Sequence, residues 1–352
     1  MVYELTGNTA SYGTSAAAGA KLAFKEINAN GGVLGKQIQI VTADNKGEPS
    51  ESANAMTKVI TQDKVVAITG FTVSSCGIAG SAVAEDNKIP FVAAATVNPR
   101  VTVDEKTGKV KEYTFRACFI DSFQGTVGAN FALNTLKKSK SAIMVDNSSD
   151  YSKGLAQIFK DVFTKGGGQV VVEEAYLQKD QDFKSVLTKI KAQNPEIIYL
   201  PGYYDDVGKI IKQARELGIT VPILGGDAWD SPRLVELGSP EALNNTYFTN
   251  FYSTQDTSPA SQAFVTAYQK EYNQLPDSMA AMGYDAAYLL VDAIKRAGSV
   301  DSAKIREALA ATQGFKSVSG SMNLSPTHDA IRGVVIIQMK DGQQVYKETV
   351  KP

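Results

Sequence analysis

Two cysteines, Cys76 and Cys118, and one histidine, His328, are all that 352 residues hold of the side chains that build most zinc centres. Such a site takes four ligands, or three and a water, drawn mainly from Cys and His, so a Cys/His metal centre has almost no room here. A Ser-His-Asp arrangement would have to use His328. That residue sits in Pro326-Thr327-His328-Asp329 and reads as a polar surface histidine in a turn. Nothing in the pattern fixes the separation of the cysteines, and two buried thiols are expected rather than a disulfide. No apolar run approaches the roughly 20 residues that span a bilayer. With 36 basic against 37 acidic residues and no block of one sign, the chain lacks a phosphate-binding stripe, which argues against nucleic acid. Neither Gly-x-Gly-x-x-Gly after a strand nor Gly-x-x-x-x-Gly-Lys-Ser/Thr occurs. The run Gly166-Gly167-Gly168 follows a helix ending at Lys165 and reads as a stop, not a nucleotide loop. No cofactor is expected. The chain begins without a basic-plus-apolar leader, as a mature or trimmed exported protein would, and a few upstream residues are expected to lengthen its short first strand.

What is present is more specific. With 43% hydrophobic residues the chain can bury large cores and is long enough for two domains. Leu5 to Gly35 (LTGNTASYGTSAAAGAKLAFKEINANGGVLG) reads as a strand end, a polar loop with Tyr12, a long helix and a glycine stop. Ala16, Ala20, Ala23 and Ile27 share one face, while Lys21, Lys25 and Glu26 lie mostly off it. Gly31 and Gly32 can close the helix in the left-handed conformation, and Ile38–Val41 reads as the next strand. This delivers the loop after the first strand to the carboxyl edge of a parallel sheet, where open α/β folds bind ligands.

Further apolar runs are expected as strands over 65–69, 91–94, 142–145, 170–173, 197–200 and 221–224, several apolar throughout, as parallel strands covered on both faces are. Helical patterns alternate with them, for example Val207, Ile210, Ile211 and Ala214 ending at Leu217-Gly218. This rhythm predicts doubly wound α/β architecture, and the length predicts two such units. The charged stretch 104–111 (DEKTGKVK) reads as an exposed loop before a strand at 113–116. Composition alone suggests a single boundary near residue 120.

Four strand-following loops carry candidate chemistry. In Gly70-Phe71-Thr72-Val73-Ser74-Ser75-Cys76-Gly77, Ser74 or Ser75 either caps a helix or shares that helix's free N–H groups with a ligand carboxylate. In Ala93-Ala94-Ala95-Thr96-Val97-Asn98-Pro99, three small residues leave room for close approach to the backbone. The third loop is Pro201-Gly202-Tyr203-Tyr204, and the fourth is Gly225-Gly226-Asp227-Ala228-Trp229. A lone Asp in a Gly-Gly-Asp turn is commonly structural. Beside the only Trp, it also suits an ammonium ligand, the acid pairing the charge and the ring offering a face.

The opening segment, LTG-x-x-A-x-YG, then a helix and INA-x-GGV-x-G, closely resembles that of bacterial amino-acid-binding proteins of the leucine/isoleucine/valine type, the solute-binding partners of membrane ABC importers. The resemblance runs over essentially the whole chain in order. It implies two doubly wound, Rossmann-like lobes joined by a three-crossover hinge, with the ligand cleft between them. The crossings would fall around Phe119–Asp121, Asn250–Tyr252 and Ser325–Asp329, giving one lobe of 1–119 plus 252–326 and another of 120–251 plus 327–352. Three crossings permit a bend and resist a twist, which suits a clamp on a small ligand.

The resemblance also implies site roles. Ser74 matches the family serine that binds the ligand carboxylate, with Ser75 the adjacent alternative. Ala95 aligns with the residue whose carbonyl takes the amino group. The family threonine is one place early, so Thr96 precedes Val97, which stands where the hydroxyl is expected. Asp227 takes the place of the acid that receives the ammonium, where many members carry glutamate. Tyr203 matches the family tyrosine nearby, Tyr151 an aromatic at a second-lobe helix start, and Tyr12 a first-lobe aromatic. Phe119 and Tyr284 are candidates for the apolar end, though Tyr284, among Met279, Met282, Ala286, Tyr288 and Leu289, reads equally as a core aromatic. Asp121, in Phe115-Arg116…Asp121-Ser122-Phe123-Gln124-Gly125, is expected to cap a helix beginning at Ser122 and to sit at the hinge.

Together these imply a monomeric extracytoplasmic binding protein, periplasmic or held at the cell surface as a lipoprotein. It would carry a small aliphatic amino acid, branched-chain first, to a membrane ABC permease. Alanine, glycine or an amide are the competing cargoes because Val97 alters the polar shell. A hydrolase using Ser74 or Ser75 is a weaker reading, since no Gly-x-Ser-x-Gly elbow and no suitable base occur. A sensor domain would show an added DNA-binding or membrane segment.

Overall fold

The computed structural model describes residues 1–352. Along the chain the first elements are β1 (Val2–Tyr3), α1 (Ala10–Ala29), β2 (Ala43–Asp44), α2 (Pro49–Thr61), β3 (Ile68–Gly70), α3 (Ser74–Asn87), β4 (Phe91–Ala93) and β5 (Thr114–Arg116). Then follow α4 (Asp121–Asn130), β6 (Lys140–Asp146), α5 (Asp150–Lys165), β7 (Gln169–Tyr176), α6 (Lys184–Ala192), β8 (Ile197–Tyr199), α7 (Tyr204–Glu216), β9 (Ile223–Gly225), α8 (Pro232–Gly238) and β10 (Thr246–Asn250). The chain ends with α9 (Pro259–Tyr272), α10 (Ser278–Ala297), α11 (Ser302–Ala310), β11 (Phe315–Ser317), β12 (Gly320–Leu324), β13 (Ala330–Ile331), β14 (Val334–Lys340) and β15 (Gln343–Val350).

Two compact units result, each assembled from separated stretches. Unit 1 comprises Met1–Ile120 and Tyr252–Gly333, and unit 2 comprises Asp121–Phe251 and Val334–Pro352. The last passage lies later than the 326/327 position expected from sequence. The reason is local: β13 pairs with β12, and Asp329 is held by Arg116 at 2.7 Å, so 327–333 belong to unit 1.

Unit 1 contains a sheet of order β2-β1-β3-β4-β5, parallel throughout, and a small antiparallel sheet β11-β12-β13. Its strands are two or three residues long and buried, with β2 half-buried, as the apolar runs predict for a sheet covered on both faces. Ile38–Val41 does not form a strand; β2 begins at Ala43 instead. Asn28 of α1 bonds both backbone groups of Ile38, donating to its carbonyl and accepting from its N–H, so those groups are satisfied without a ladder. Helix α1 buries the predicted small face and ends before Gly31 and Gly32, both left-handed. The absence of side chains at Gly19 and Gly283 lets α1 and α10 meet backbone to backbone. A Cβ at Gly19 would lie 1.9 Å from the Ala280 carbonyl oxygen, and one at Gly283 the same distance from that of Ala16.

Unit 2 has seven strands in the order β15-β14-β10-β9-β8-β6-β7. The five from β10 to β7 are parallel, and β14 and β15 add antiparallel at one edge. Its core is aromatic, with Phe159 of α5 stacked on Tyr199 of β8 at 3.8 Å between centroids. The Gly166–Gly168 run connects α5 to β7, as the sequence predicts.

Candidate functional site

In unit 1 the carboxyl ends of β1, β3, β4 and β5 feed the loops that carry most of the predicted residues. Tyr12 lies in the first turn of α1 and is buried. Helix α3 begins at Ser74, and its N-cap residue is Val73, which has no side chain able to cap; neither serine serves as the cap. The N–H groups of that first turn are therefore turned to the sheet edge without a side-chain acceptor from the cap. Ser74 Oγ accepts a long hydrogen bond, 3.4 Å, from the N–H of Asn98, joining this turn to the loop after β4. Ser75 follows, half-buried. Ala95 and Val97 are buried on the β4 loop, and Phe119 is buried just before the first passage.

Thr96 departs from its expected role. Its side chain rests on Gly77 of α3, where an added Cβ would meet its methyl at 2.7 Å, and its buried hydroxyl has no partner. Its carbonyl accepts from Arg116 Nη1 at 2.8 Å. The hydroxyl one place early is thus turned into the packing of the loop against α3.

Two buried ionic groups shape these loops, and sequence reasoning did not single out either for that work. Glu4, at the end of β1, accepts from the Thr72 N–H (3.1 Å), the Thr72 hydroxyl (2.7 Å) and Asn45 Nδ2 (3.1 Å), which pins the loop leading to Ser74. Burial pushes its carboxyl above the usual range against those hydrogen bonds. Arg116 is fully buried and donates to the carbonyls of Thr96 and Asn98 and to Thr102 Oγ1, with Asp329 on Nε. Only the three-dimensional pairing of distant residues reveals these tasks.

His328 is not at the surface. It is 9% exposed, stacked on Phe115 at 4.0 Å, with Nδ1 3.0 Å from the carbonyls of both Lys111 and Thr114. Burial holds its pKa below the usual value. Cys76 and Cys118 are buried and form no disulfide, as expected from sequence.

In unit 2 three predicted residues come together at the carboxyl ends of β6, β8 and β9. Tyr151 opens α5, Tyr203 is the N-cap residue of α7, and Asp227 starts a single 3-10 turn after β9. The two tyrosine rings stack at 5.5 Å, and the Tyr151 hydroxyl donates to Asp227 Oδ1 at 3.2 Å. Gln124 of α4 donates to the same oxygen at 2.6 Å. Asp227 is almost wholly buried, and burial raises its pKa to about 7 against the pull of those two donors, with the Asp230 charge adding to the rise. Asp121 is buried as the first residue of α4, one position earlier than the helix start expected from sequence.

Trp229 does not offer a face to this acid. It is fully buried, lies against Gly225, and donates its indole N–H to the Leu200 carbonyl at 3.1 Å. Tyr284 also falls outside the group. Its hydroxyl bonds Glu26, and its ring packs on Tyr288 and Phe264. Glu26 lies 16 residues into α1 from Ala10, roughly 24 Å along that helix from the sheet edge. The core reading of Tyr284 is the one the structure supports.

The family model for periplasmic binding proteins matches residues 1–344. This chain belongs to that family. Leu/Ile/Val-binding protein BraC3 of Rhizobium johnstonii is 30% identical over 330 residues, 94% of this chain and 87% of its own length. Among solved structures, the leucine-binding protein LivK of Thermotoga maritima is 36% identical with a TM-score of 0.94, covering 100% of this chain and 97% of that one. LivJ of Streptococcus pneumoniae, solved with isoleucine, is 36% identical with a TM-score of 0.93, covering 100% and 98%. The two-lobe α/β architecture expected from sequence is that of the family.

Gly226 offers a direct test of the unit 2 cluster. Its φ of −108° is open to any residue, yet a Cβ there would lie 2.2 Å from the Tyr151 hydroxyl and 2.9 Å from Gln124 Nε2. Gly226→Ala is expected to displace both donors from Asp227 and to cost about 1–3 kcal/mol of stability. A urea titration with unchanged midpoint, together with an unchanged Asp227 pKa, would contradict this geometry.

Proposed function

We propose that this chain is an extracytoplasmic solute-binding protein that captures a small aliphatic amino acid, leucine, isoleucine or valine first, and passes it to a membrane ABC permease. The observation that carries the proposal is Asp227: a buried carboxylate whose neighbours are neutral donors and another acid, so an ammonium ion is the partner that completes it. Tyr203 and Tyr151 flank it and supply ring surface. At the other end of the ligand, the first turn of α3 with Ser74 suits a carboxylate, because helix N-termini present N–H donors and the positive end of the dipole. The apolar residues Val97 and Phe119, with Tyr12, would meet the side chain.

In this reading the unit 1 groups orient the amino acid and the unit 2 groups close on it. Exclusion of water strengthens the charge-assisted bonds, and the ligand shifts the population toward the form that the permease reads. The protein acts as a monomer and catalyses nothing. Its one histidine is committed to two backbone carbonyls, so Ser74 and Ser75 have no imidazole base.

Calorimetric titration of unfolded, ligand-stripped and refolded protein with each common amino acid tests the proposal. Saturable binding of leucine, isoleucine or valine that collapses in Asp227→Ala is expected. Binding confined to glycine or alanine would move the cargo and keep the site. Folded, empty protein that binds no amino acid would overturn the reading.

A further inference from the structure

We infer that Gln124 is a positioning residue of this site, holding the Asp227 carboxylate in the ionised orientation that an ammonium ligand requires. Gln124 lies in the first turns of α4, on a different element from Tyr151, Tyr203 and Asp227. Its Nε2 is 2.6 Å from Asp227 Oδ1 and 2.8 Å from Thr249 Oγ1, the latter on β10. An amide nitrogen has two protons to give, and both are used on these two oxygens. The other end of the amide is left without a partner: Oε1 is buried and accepts no hydrogen bond. Turning the amide over would face that oxygen to a carboxylate, so the orphaned acceptor is the structural counterpart of keeping the donor end on Asp227. Gly226 keeps the space open, since a Cβ there would crowd Nε2.

The groups facing Asp227 are few. Tyr151 of α5 donates to it, Asp230 of its own turn repels it, and the buried Tyr199 of β8 senses the charges of both Asp227 and Asp121. Among them Gln124 makes the shorter of the two side-chain bonds to the carboxylate. Burial favours the neutral acid, and a neutral acid cannot pair an ammonium charge. Gln124 supplies a donor that opposes burial without introducing a positive charge to compete with the ligand.

The consequence for binding rests on the amino-acid reading, whereas the effect on the carboxyl group does not, and the test separates them. Ligand-free protein labelled with aspartate carrying carbon-13 at the carboxyl is titrated by NMR, with Asp227→Asn assigning the resonance. In Gln124→Met, close in volume and lacking the donor, Asp227 is expected to titrate about one pH unit higher than in the parent, a tenfold change in the ionised ratio. Thr249→Val, which frees Gln124 without touching Asp227, is expected to shift it the same way by less, and it carries the test if the Met variant does not fold. An Asp227 titration unmoved in the variants that fold would overturn the inference. Calorimetry with leucine at pH 7 and 8.5 adds a second readout: the Met variant is expected to lose about fivefold at pH 7 and to recover most of it at pH 8.5. A loss equal at both pH values would mark a purely structural residue and overturn the inference. A parent protein that binds no amino acid would sink the proposed function, while the carboxyl titration would still decide the role of Gln124.

Discussion

Capture of a branched-chain amino acid is expected to release close to one proton at pH 5–6 and none at pH 9. Affinity should fall about tenfold for each pH unit below 7, until the carboxyl pKa of the complex is reached. The expectation comes from Asp227, whose pKa in the empty protein is raised to about 7 by burial. An ammonium ion beside it reverses much of that rise, so the group is neutral in the free form and charged in the complex over the acid range. Calorimetry in buffers of different ionisation enthalpy counts the proton. Asp227→Asn should abolish the pH slope and cost about 30-fold or more in affinity, the range for removing one partner of a buried charged pair. A slope unchanged in Asp227→Asn would reassign the titration to another group.

The same shift has an opposite face in the stability of the empty protein. A carboxyl whose folded pKa lies above its unfolded value keeps a proton in the folded state that the unfolded state has lost. Its contribution is full below about pH 4 and is lost as pH rises through 7. Melts of ligand-free protein should therefore weaken from pH 5 to pH 8. Asp227→Asn should flatten part of that trend. Asp206, also raised to about 7 by burial with Asp146 and Asp205 adding, and the carboxyls of Glu4, Glu85 and Asp285, raised by the same cause, retain the remainder.

Arg116→Met should be among the most destabilising single substitutions in unit 1, by about 3–5 kcal/mol. The guanidinium is fully buried, and its removal strands Asp329 together with the carbonyls of Thr96 and Asn98. Stranding a buried charge costs more than the pair itself contributes, so Arg116→Met with Asp329→Asn should lose less than the two single changes added together. Urea unfolding at pH 7 measures all three. A loss under about 1 kcal/mol in Arg116→Met would show that these carbonyls find other donors. Because Arg116 holds the loop of Ala95 to Val97, leucine affinity should fall with it.

Much of this arrangement is legible in the chain because it is local. Strand, short loop and helix follow one another, so Tyr12, Ser74, Tyr151, Tyr203 and Asp227 could each be placed at a carboxyl edge from neighbours within a few residues. What escaped is what depends on distant partners. Asn28 satisfies the backbone of Ile38 and displaces the expected strand. Arg116 draws Asp329 into unit 1 and moves the third passage, and Phe115 covers His328. Gln124 looked like one letter of a family pattern, and only folding brings it to Asp227 across 103 residues of chain. Trp229 misled for the opposite reason: its closeness to Asp227 in sequence hides a ring turned onto Gly225.

The glycine contact between α1 and α10 also sets a timetable. Helix α1 cannot bury its small-residue face until α10 exists, and about 250 residues separate the end of one from the start of the other. At the ordinary pace of synthesis that is roughly 12–50 seconds during which that face of the helix has no partner. Unit 2 waits as well, because β14 and β15, made after all its other strands, complete its sheet. Neither unit can finish folding before its late segments, α10 to β13 in one and β14 and β15 in the other, have been made. A polypeptide built in this order leaves unpaired apolar faces exposed through much of its synthesis, the condition that chaperones meet.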